Sequence, residues 1–337
     1  MKINHKIILY FVGFLLLFNG GFMFISSIVS YYYADGITSE MIYSGIIVAL
    51  IGGLLLFLNR DHDKQLNKRE GYLVVILGWL AMILTGTLPY ILTNTIDGFS
   101  NIIFETTSGF TTTGATILNN IEALPEGILF WRSITHWLGG MGIIVFAIAI
   151  LPLLGIGGMQ LFSAESPGMN TDKLHPRITD TAKRLWLIYL SYTLIETVLL
   201  TFAGMSFFDA INHSMSNIAS GGFSTKNDSL GFWNDQPLIQ YIVIFFMFIA
   251  GTNFVLSYFG FKGKFRNIIK DEEFKIYSLL IATFTLLVGS IIYLNTDFLS
   301  ELTNSFTRIE GVFRHALFQV VSIITTTVII FFLPRSY

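Results

Sequence analysis

The chain of 337 residues has no cysteine, and Asp, Glu, Lys and Arg together make up only 12% of it. The first absence excludes disulfides, thiolate catalysis and cysteine-ligated metals. The second leaves about half the charge of a soluble globular protein. A formal net charge of −2 provides no basic footprint for nucleic acid. The six histidines have no paired metal-ligand spacing of the His-Glu-x-x-His kind, so His136, His213 and His315 read as packing or pore-helix residues.

What the chain has in abundance is apolar sequence, at 53% hydrophobic residues. The apolar runs are about 18 to 25 residues long, which suits helices crossing roughly 30 Å of hydrocarbon, not the shorter alternating strands of a barrel. The composition therefore predicts an all-α integral membrane protein surrounded by a lipid bilayer. Candidate spans are 7–30, 41–58, 71–93, 129–155, 183–205, 237–261 and 276–295. The first follows Lys2 and Lys6 but lacks a small-residue cleavage site, so it reads as a retained span.

Basic residues cluster in three connectors: Arg60, Lys64, Lys68 and Arg69; Lys173, Arg177, Lys183 and Arg184; and Lys262, Lys264, Arg266, Lys270 and Lys275. By the positive-inside rule these connectors and the amino terminus are cytoplasmic. Connectors 31–40, 94–128 and 206–236 then lie outside, with Lys226 their one basic residue. The run Lys262-Gly-Lys-Phe-Arg reads as a topology determinant, with partner docking as the lesser alternative.

Residues 109–116, Gly-Phe-Thr-Thr-Thr-Gly-Ala-Thr, are polar and lie between long apolar runs. Backbone of this kind is tolerated at membrane depth only where it is buried in protein or lines a wet cavity. Phe-Ser-Asn-Ile-Ile-Phe, at 99–104, predicts a short helix that dips into the membrane just before it. The pattern then recurs. A shift of 108 residues puts Gly114 on Gly222, Phe99 on Phe207 and Ser108 on Ser216, with FTTTGAT falling on ASGGFST and its neighbours. A further 106 residues brings Phe313, Ser322 and the run Thr325, Thr326, Thr327 into register. Each unit reads as span, re-entrant helix, polar filter-like strand and span.

Such repeats around an axis normal to the membrane bring their polar strands together, and the chemistry favours a cation. Glycine reaches backbone angles closed to other residues, so Thr-Gly and Gly-Gly steps can aim carbonyl oxygens at a dehydrated ion. The carboxyl end of each short helix adds negative potential. Thr112, Thr113, Gly114, Ser220, Gly221, Gly222, Thr326 and Thr327 are the candidate filter residues. No acidic ring is present, which argues for a large monovalent ion over calcium or magnesium. Glu105 and Asp209 on the pore helices either concentrate cations or serve as structural hydrogen-bonding groups. Glu196, inside a span, faces protein or water in either a functional or a pairing role. Gly139, Gly140 and Gly142 read as permitting close helix contact, with hinge or gate roles as the lesser alternative.

Together with HWLGGMGIIVFAIAILPLLG at 136–155, AESPGMNTDKLHPRITDTAKRLW at 164–186 and NIASGGFST at 217–225, this segment resembles the Trk/Ktr/HKT potassium transporter family, specifically its TrkH-like membrane subunits. The resemblance runs from about residue 8 to Thr327. It implies four helix–pore-loop–helix units around a pseudo-symmetric ion pathway, with two extra N-terminal helices. It further implies K+ as the transported ligand with no tightly bound cofactor, a bacterial inner-membrane location and a homodimer. The partners it implies are cytosolic nucleotide-binding regulatory subunits, TrkA/KtrA-like.

On that basis the chain divides into 1–60 (two N-terminal helices), 61–160 and 161–262 (the first and second pore-loop units) and 263–337 (an incomplete third). The departure from the family pattern is Val328, where a glycine is expected, followed by VIIFFLPRSY. The expectation is that the fourth unit is absent and this chain is incomplete for transport. The competing readings are a non-conducting or regulatory remnant, and an intramembrane enzyme using His136, Glu196 or Asp209. The enzyme reading lacks a nucleophile–base pair and leaves the repeats unexplained.

Overall fold

A computed structural model describes residues 3–61, 68–142, 178–295, 305–327 and 329. The described residues are helical, with no strand among them. The chain divides into two compact units, Met1–Thr111 with Ala115–Leu187, and Thr112–Gly114 with Ile188–Tyr337.

The first unit opens with α1 (His5–Tyr33) and α2 (Thr38–Leu58), joined by a tight turn. Ala34 adopts the left-handed conformation that ends α1, donating its N–H to Ser30 and Tyr31 carbonyls. Asp35 then accepts from Ile37 N at 3.2 Å and from Gly127 N at 2.8 Å, fixing the turn against a later segment. The two helices pack on glycines. A methyl at Gly52 would lie 2.7 Å from the Gly13 carbonyl oxygen, and one at Gly13 would lie 2.8 Å from that of Gly52. Lipid gives helices no hydrophobic reason to associate, so such backbone approach is a main source of their cohesion.

Helix α3 (Lys68–Gly86) returns alongside α1. Asn19, buried between them, donates to Thr85 Oγ1 at 3.0 Å. The Asn4 N–H donates to Glu70 Oε1 at 2.8 Å, so α1 and α3 begin at the same end of the bundle. Helix α3 breaks after Gly86, and Pro89 lies in the first turn of the short α4 (Leu88–Thr93). The indole N–H of Trp131 donates to the Gly86 carbonyl at 3.2 Å, supplying a partner at the break.

Two short helices follow in this unit, α5 (Phe99–Phe110) and α6 (Glu126–Trp137). Twelve residues of α5 span about 18 Å, too little to cross the hydrocarbon. Phe110 at its end approaches Gly86, where an added Cβ would sit 2.5 Å from the ring. The run expected as one span over 129–155 passes into a π-turn at Leu138–Gly142, and residues 143–155 lie outside the described set. Gly139, Gly140 and Gly142 fall within that turn.

Helix α7 (Ile178–Phe202) belongs to the second unit from Ile188 onward, and that unit also contains α8 (Phe207–Ile218), α9 (Pro237–Ala250), α10 (Phe254–Phe261), α11 (Phe265–Lys270), α12 (Glu272–Asn295) and α13 (Ser305–Ile324). Its core joins Leu200, Ala210, Trp233, Val243, Met247, Phe318 and Val321. The span expected over 237–261 is two helices, broken at Gly251–Asn253. The break is held by packing: a Cβ on Gly251 would meet Thr325 Cγ2 at 2.6 Å and Tyr277 Oη at 2.7 Å. Helix α12 begins with Asp271 accepting from Phe274 N at 2.9 Å, and Glu272 and Glu273 complement the helix dipole. Its leucines and isoleucines are largely exposed, as suits a lipid-facing helix.

Among the described residues, five helical stretches are long and apolar enough to cross a membrane: His5–Tyr33, Thr38–Leu58, Arg69–Thr93, Lys183–Phe202 and Glu272–Leu294. Pro237–Ala250 is apolar but shorter, because of the break that follows it.

Candidate functional site

The three polar strands foreseen from the repeat each follow a helix: residues 111–118 after α5, 219–228 after α8 and 325–327 after α13. Helix ends are closed by local bonds, with Thr111 N reaching Thr107 O at 2.8 Å, Gly221 N reaching Ser216 O at 2.8 Å and Thr326 N reaching Ile323 O at 3.1 Å. The backbone angles repeat as well. Thr112, Ser220 and Thr326 all have positive φ, at 53°, 54° and 58°. Two residues beyond the first two lie Gly114 and Gly222, also positive at 76° and 87°. A non-glycine residue held in this region costs of order 1–3 kcal/mol and persists only where its surroundings impose it. Backbone alternating between hands turns successive peptide groups to one side, which suits a row of carbonyl ligands.

Thr112–Gly114 belongs to the second unit, in the same compact body as the strands that follow α8 and α13. A Cβ built on Gly114 would lie 1.8 Å from the Gly221 carbonyl oxygen and 3.5 Å from Gly222 Cα. The first two strands are therefore in backbone contact at the matched glycines. Thr325 and Thr327 hydroxyls pair at 2.7 Å and both residues are buried, whereas Thr326 is exposed.

The charged and polar groups noticed in the sequence have defined partners. Glu105, fully buried on α5, accepts from Arg132 Nε at 3.0 Å, from Arg132 Nη2 at 2.9 Å and from Thr116 Oγ1 at 2.9 Å and 3.0 Å. It also accepts from Ile117 N at 3.1 Å. Its place is behind the strand. Asp209 exchanges bonds with Ser206 at the start of α8, a reciprocal cap, and accepts from Thr225 Oγ1 at 2.5 Å. Glu196, buried on α7, accepts from Asn217 Nδ2 at 2.5 Å, one turn before the second strand. His213 bonds Ser224 Oγ at 3.0 Å and stands edge-on to Trp233 at 5.1 Å. His315 and His136 are buried as well. Of the basic connectors, Lys64, Lys173 and Arg177 lie outside the described residues.

Sequence reasoning did not single out Arg132, Thr116, Ser224 or Gln240. An arginine inside an apolar run needs a partner, and Glu105 on the neighbouring pore helix was the available acid. Gln240, which the 108-residue shift places on Arg132, instead accepts a bond from Arg314 Nη1. Arg314 is in turn paired with Glu310 at 2.8 Å, and Tyr241 donates to the same carboxylate at 2.9 Å.

Three helices, two of them only twelve residues long, each lead into a polar strand with an imposed left-handed residue, and this repeat defines an all-α integral membrane protein built from pore-loop units. The profile of the TrkH family, described as cation transport proteins, matches residues 37–329. The chain belongs to that family. It is 40% identical over 318 residues to the Trk system potassium uptake protein TrkH of Salmonella typhimurium, covering 94% of this chain and 64% of that protein. Against the Trk system potassium uptake protein TrkH of Vibrio parahaemolyticus it is 40% identical over 320 residues, again covering 94% and 64%. The crystal structure of the potassium transporter TrkH from Vibrio parahaemolyticus superposes with a TM-score of 0.80 at 36% identity, over 96% of this chain and 64% of that one. The chain thus spans a little under two thirds of the length of these relatives.

Proposed function

We propose that the chain contributes the membrane subunit of a potassium uptake system, with K+ shedding water among the backbone oxygens of Thr112, Thr113, Gly114, Ser220, Gly221, Gly222, Thr326 and Thr327. The observation that carries this reading is the recurrence of left-handed residues at 112, 220 and 326 together with the contact between Gly114 and Gly221. Carbonyl ligation replaces the hydration shell of a weakly hydrated monovalent ion, and the membrane potential supplies the inward force. No covalent step is required, so the reading is of a transporter and not an enzyme.

The names of the relatives support potassium as the ion and a multi-component system. On this reading the chain divides into 1–60, 61–160, 161–262 and 263–337 as two leading helices and successive pore-loop units. It sits in the bacterial inner membrane with its amino terminus in the cytoplasm, pairs with a second copy and receives cytosolic nucleotide-binding subunits at its inner face. The test is growth of a potassium-transport-deficient bacterium carrying the protein. Growth on limiting potassium, lost on replacing Gly114 or Gly222, is the expected result. Potassium-independent behaviour of parent and variants alike would overturn the reading.

A further inference from the structure

The filter-like strands are anchored from behind by a bond pattern that repeats with the sequence. In the first repeat, the α5 residue Glu105 accepts from the Thr116 hydroxyl, and Thr116 Oγ1 in turn accepts from Leu118 N at 3.1 Å. In the second, the α8 residue His213 bonds the Ser224 hydroxyl at 3.0 Å, and Ser224 Oγ accepts from Lys226 N at 3.0 Å. All three positions, 105 with 213, 116 with 224 and 118 with 226, are related by the same 108-residue shift that relates Gly114 to Gly222. The hydroxyl stands two residues beyond the glycine in each case.

The two anchors differ in strength. Glu105 is clamped by Arg132 and by Ile117 N as well as by Thr116, so its bonds are charge-assisted and several. His213 Nδ1 faces the Asp209 carbonyl at 2.8 Å, and a carbonyl can only accept. Nδ1 therefore carries the proton, and Nε2 is left as the acceptor for the Ser224 hydroxyl. The bond from Ser224 to the pore helix is therefore between neutral groups, and one residue further on Thr225 Oγ1 donates to Asp209 of the same helix at 2.5 Å.

We propose that His213, through Ser224, and Glu105, through Thr116, are positioning residues that set ion discrimination by fixing the strands bearing Gly222 and Gly114. The proposal rests on the potassium reading above and adds which residues hold the ligands in place. Each strand keeps one further link when its hydroxyl is removed: Ser224→Ala leaves Thr225 Oγ1 bonded to Asp209 at 2.5 Å, and Thr116→Val leaves Ile117 N bonded to Glu105 at 3.1 Å.

The test uses Ser224→Ala and Thr116→Val, with Ser224→Thr and Thr116→Ser as hydroxyl-retaining partners. Two readouts are taken: rubidium uptake against competing sodium in cells, and the melting temperature of the purified protein in KCl against NaCl. Loss of one net hydrogen bond corresponds to about a tenfold change, so Ser224→Ala should lower potassium-over-sodium discrimination about tenfold. Thr116→Val should lower it by a similar factor, about tenfold, and the hydroxyl-retaining variants should match the parent. The potassium-specific gain in melting temperature should shrink in both hydroxyl-deleted variants.

Parent-like salt specificity in Ser224→Ala overturns the proposal. So does a melting temperature lowered equally in both salts with discrimination unchanged, since that marks a merely structural bond. A parent that melts identically in KCl and NaCl overturns it too, even if the growth test succeeds. Failed growth with the salt-specific shift intact and hydroxyl-dependent counts against uptake alone.

Discussion

Replacing Gly114 by alanine probes the contact between the first two strands. The added methyl would lie 1.8 Å from the Gly221 carbonyl oxygen and 3.0 Å from its carbon, so one strand must move. The φ of 76° adds a second penalty, of about 1–2 kcal/mol for an L-residue in the left-handed region. That penalty alone is tolerable, since Thr112 and Ser220 bear it in the same strands. Overpacking a tight site adds about 1–3 kcal/mol. On the proposed potassium reading the sum, about 3 kcal/mol, falls on the proposed ligand carbonyls and corresponds to roughly a hundredfold loss of discrimination.

The assay is rubidium uptake against increasing sodium, at matched amounts of protein in the membrane. Gly36→Ala is the control: its φ is 85° but nothing lies within 4 Å of the added methyl. It should lose about 1–2 kcal/mol of stability and no selectivity. A Gly114→Ala protein that transports with the parent's discrimination would refute the reasoning.

Three further outcomes are expected. Arg132→Met strands the buried Glu105 carboxylate beside only its hydroxyl and amide donors, so thermal melting in detergent should fall by the equivalent of about 3–5 kcal/mol; adding Glu105→Gln should recover most of it. Gly52→Val forces α1 and α2 apart against the Gly13 carbonyl and should cost about 1–3 kcal/mol, whereas Gly53→Val, with nothing within 4 Å, should leave the melting temperature unchanged. Because the chain has no native cysteine, single cysteines report sidedness cleanly. Gly36→Cys should react with an impermeant maleimide on intact cells, and Gly263→Cys only after permeabilisation, so the reverse pattern would contradict the proposed orientation.

Hydropathy alone located α1, α2 and α12, because continuous apolar sequence and membrane-spanning length coincide there. The pore helices α5 and α8 were legible for another reason: aligned Phe, Ser and Gly residues 108 apart reveal a repeated unit even where each copy is weakly apolar. The breaks were not legible. A window long enough to find a span averages over Gly251-Thr252-Asn253 and over the π-turn at Leu138–Gly142, and what fixes the first is contact with Thr325 and Tyr277, remote in sequence.

The anchors behind the strands were hidden by their chemistry. Glu105 and His213 share a position and a task but not a residue type, so an alignment anchored on identical residues passes over them. Arg132 was concealed within an apparent span, and its match at Gln240 serves a different helix. The left-handed residues at 112, 220 and 326 were also invisible, since threonine and serine carry no sequence signature for positive φ.

On the proposed reading these strands bind a dehydrated cation through their backbone oxygens. Anomalous diffraction from crystals of the protein grown in rubidium or thallium shows whether they do. A peak ligated by carbonyl oxygens of residues 112–114 and 220–222 is the predicted result, weakened in Gly114→Ala. Full occupancy elsewhere along the protein, with no ion at these strands in a transport-competent preparation, would contradict the account.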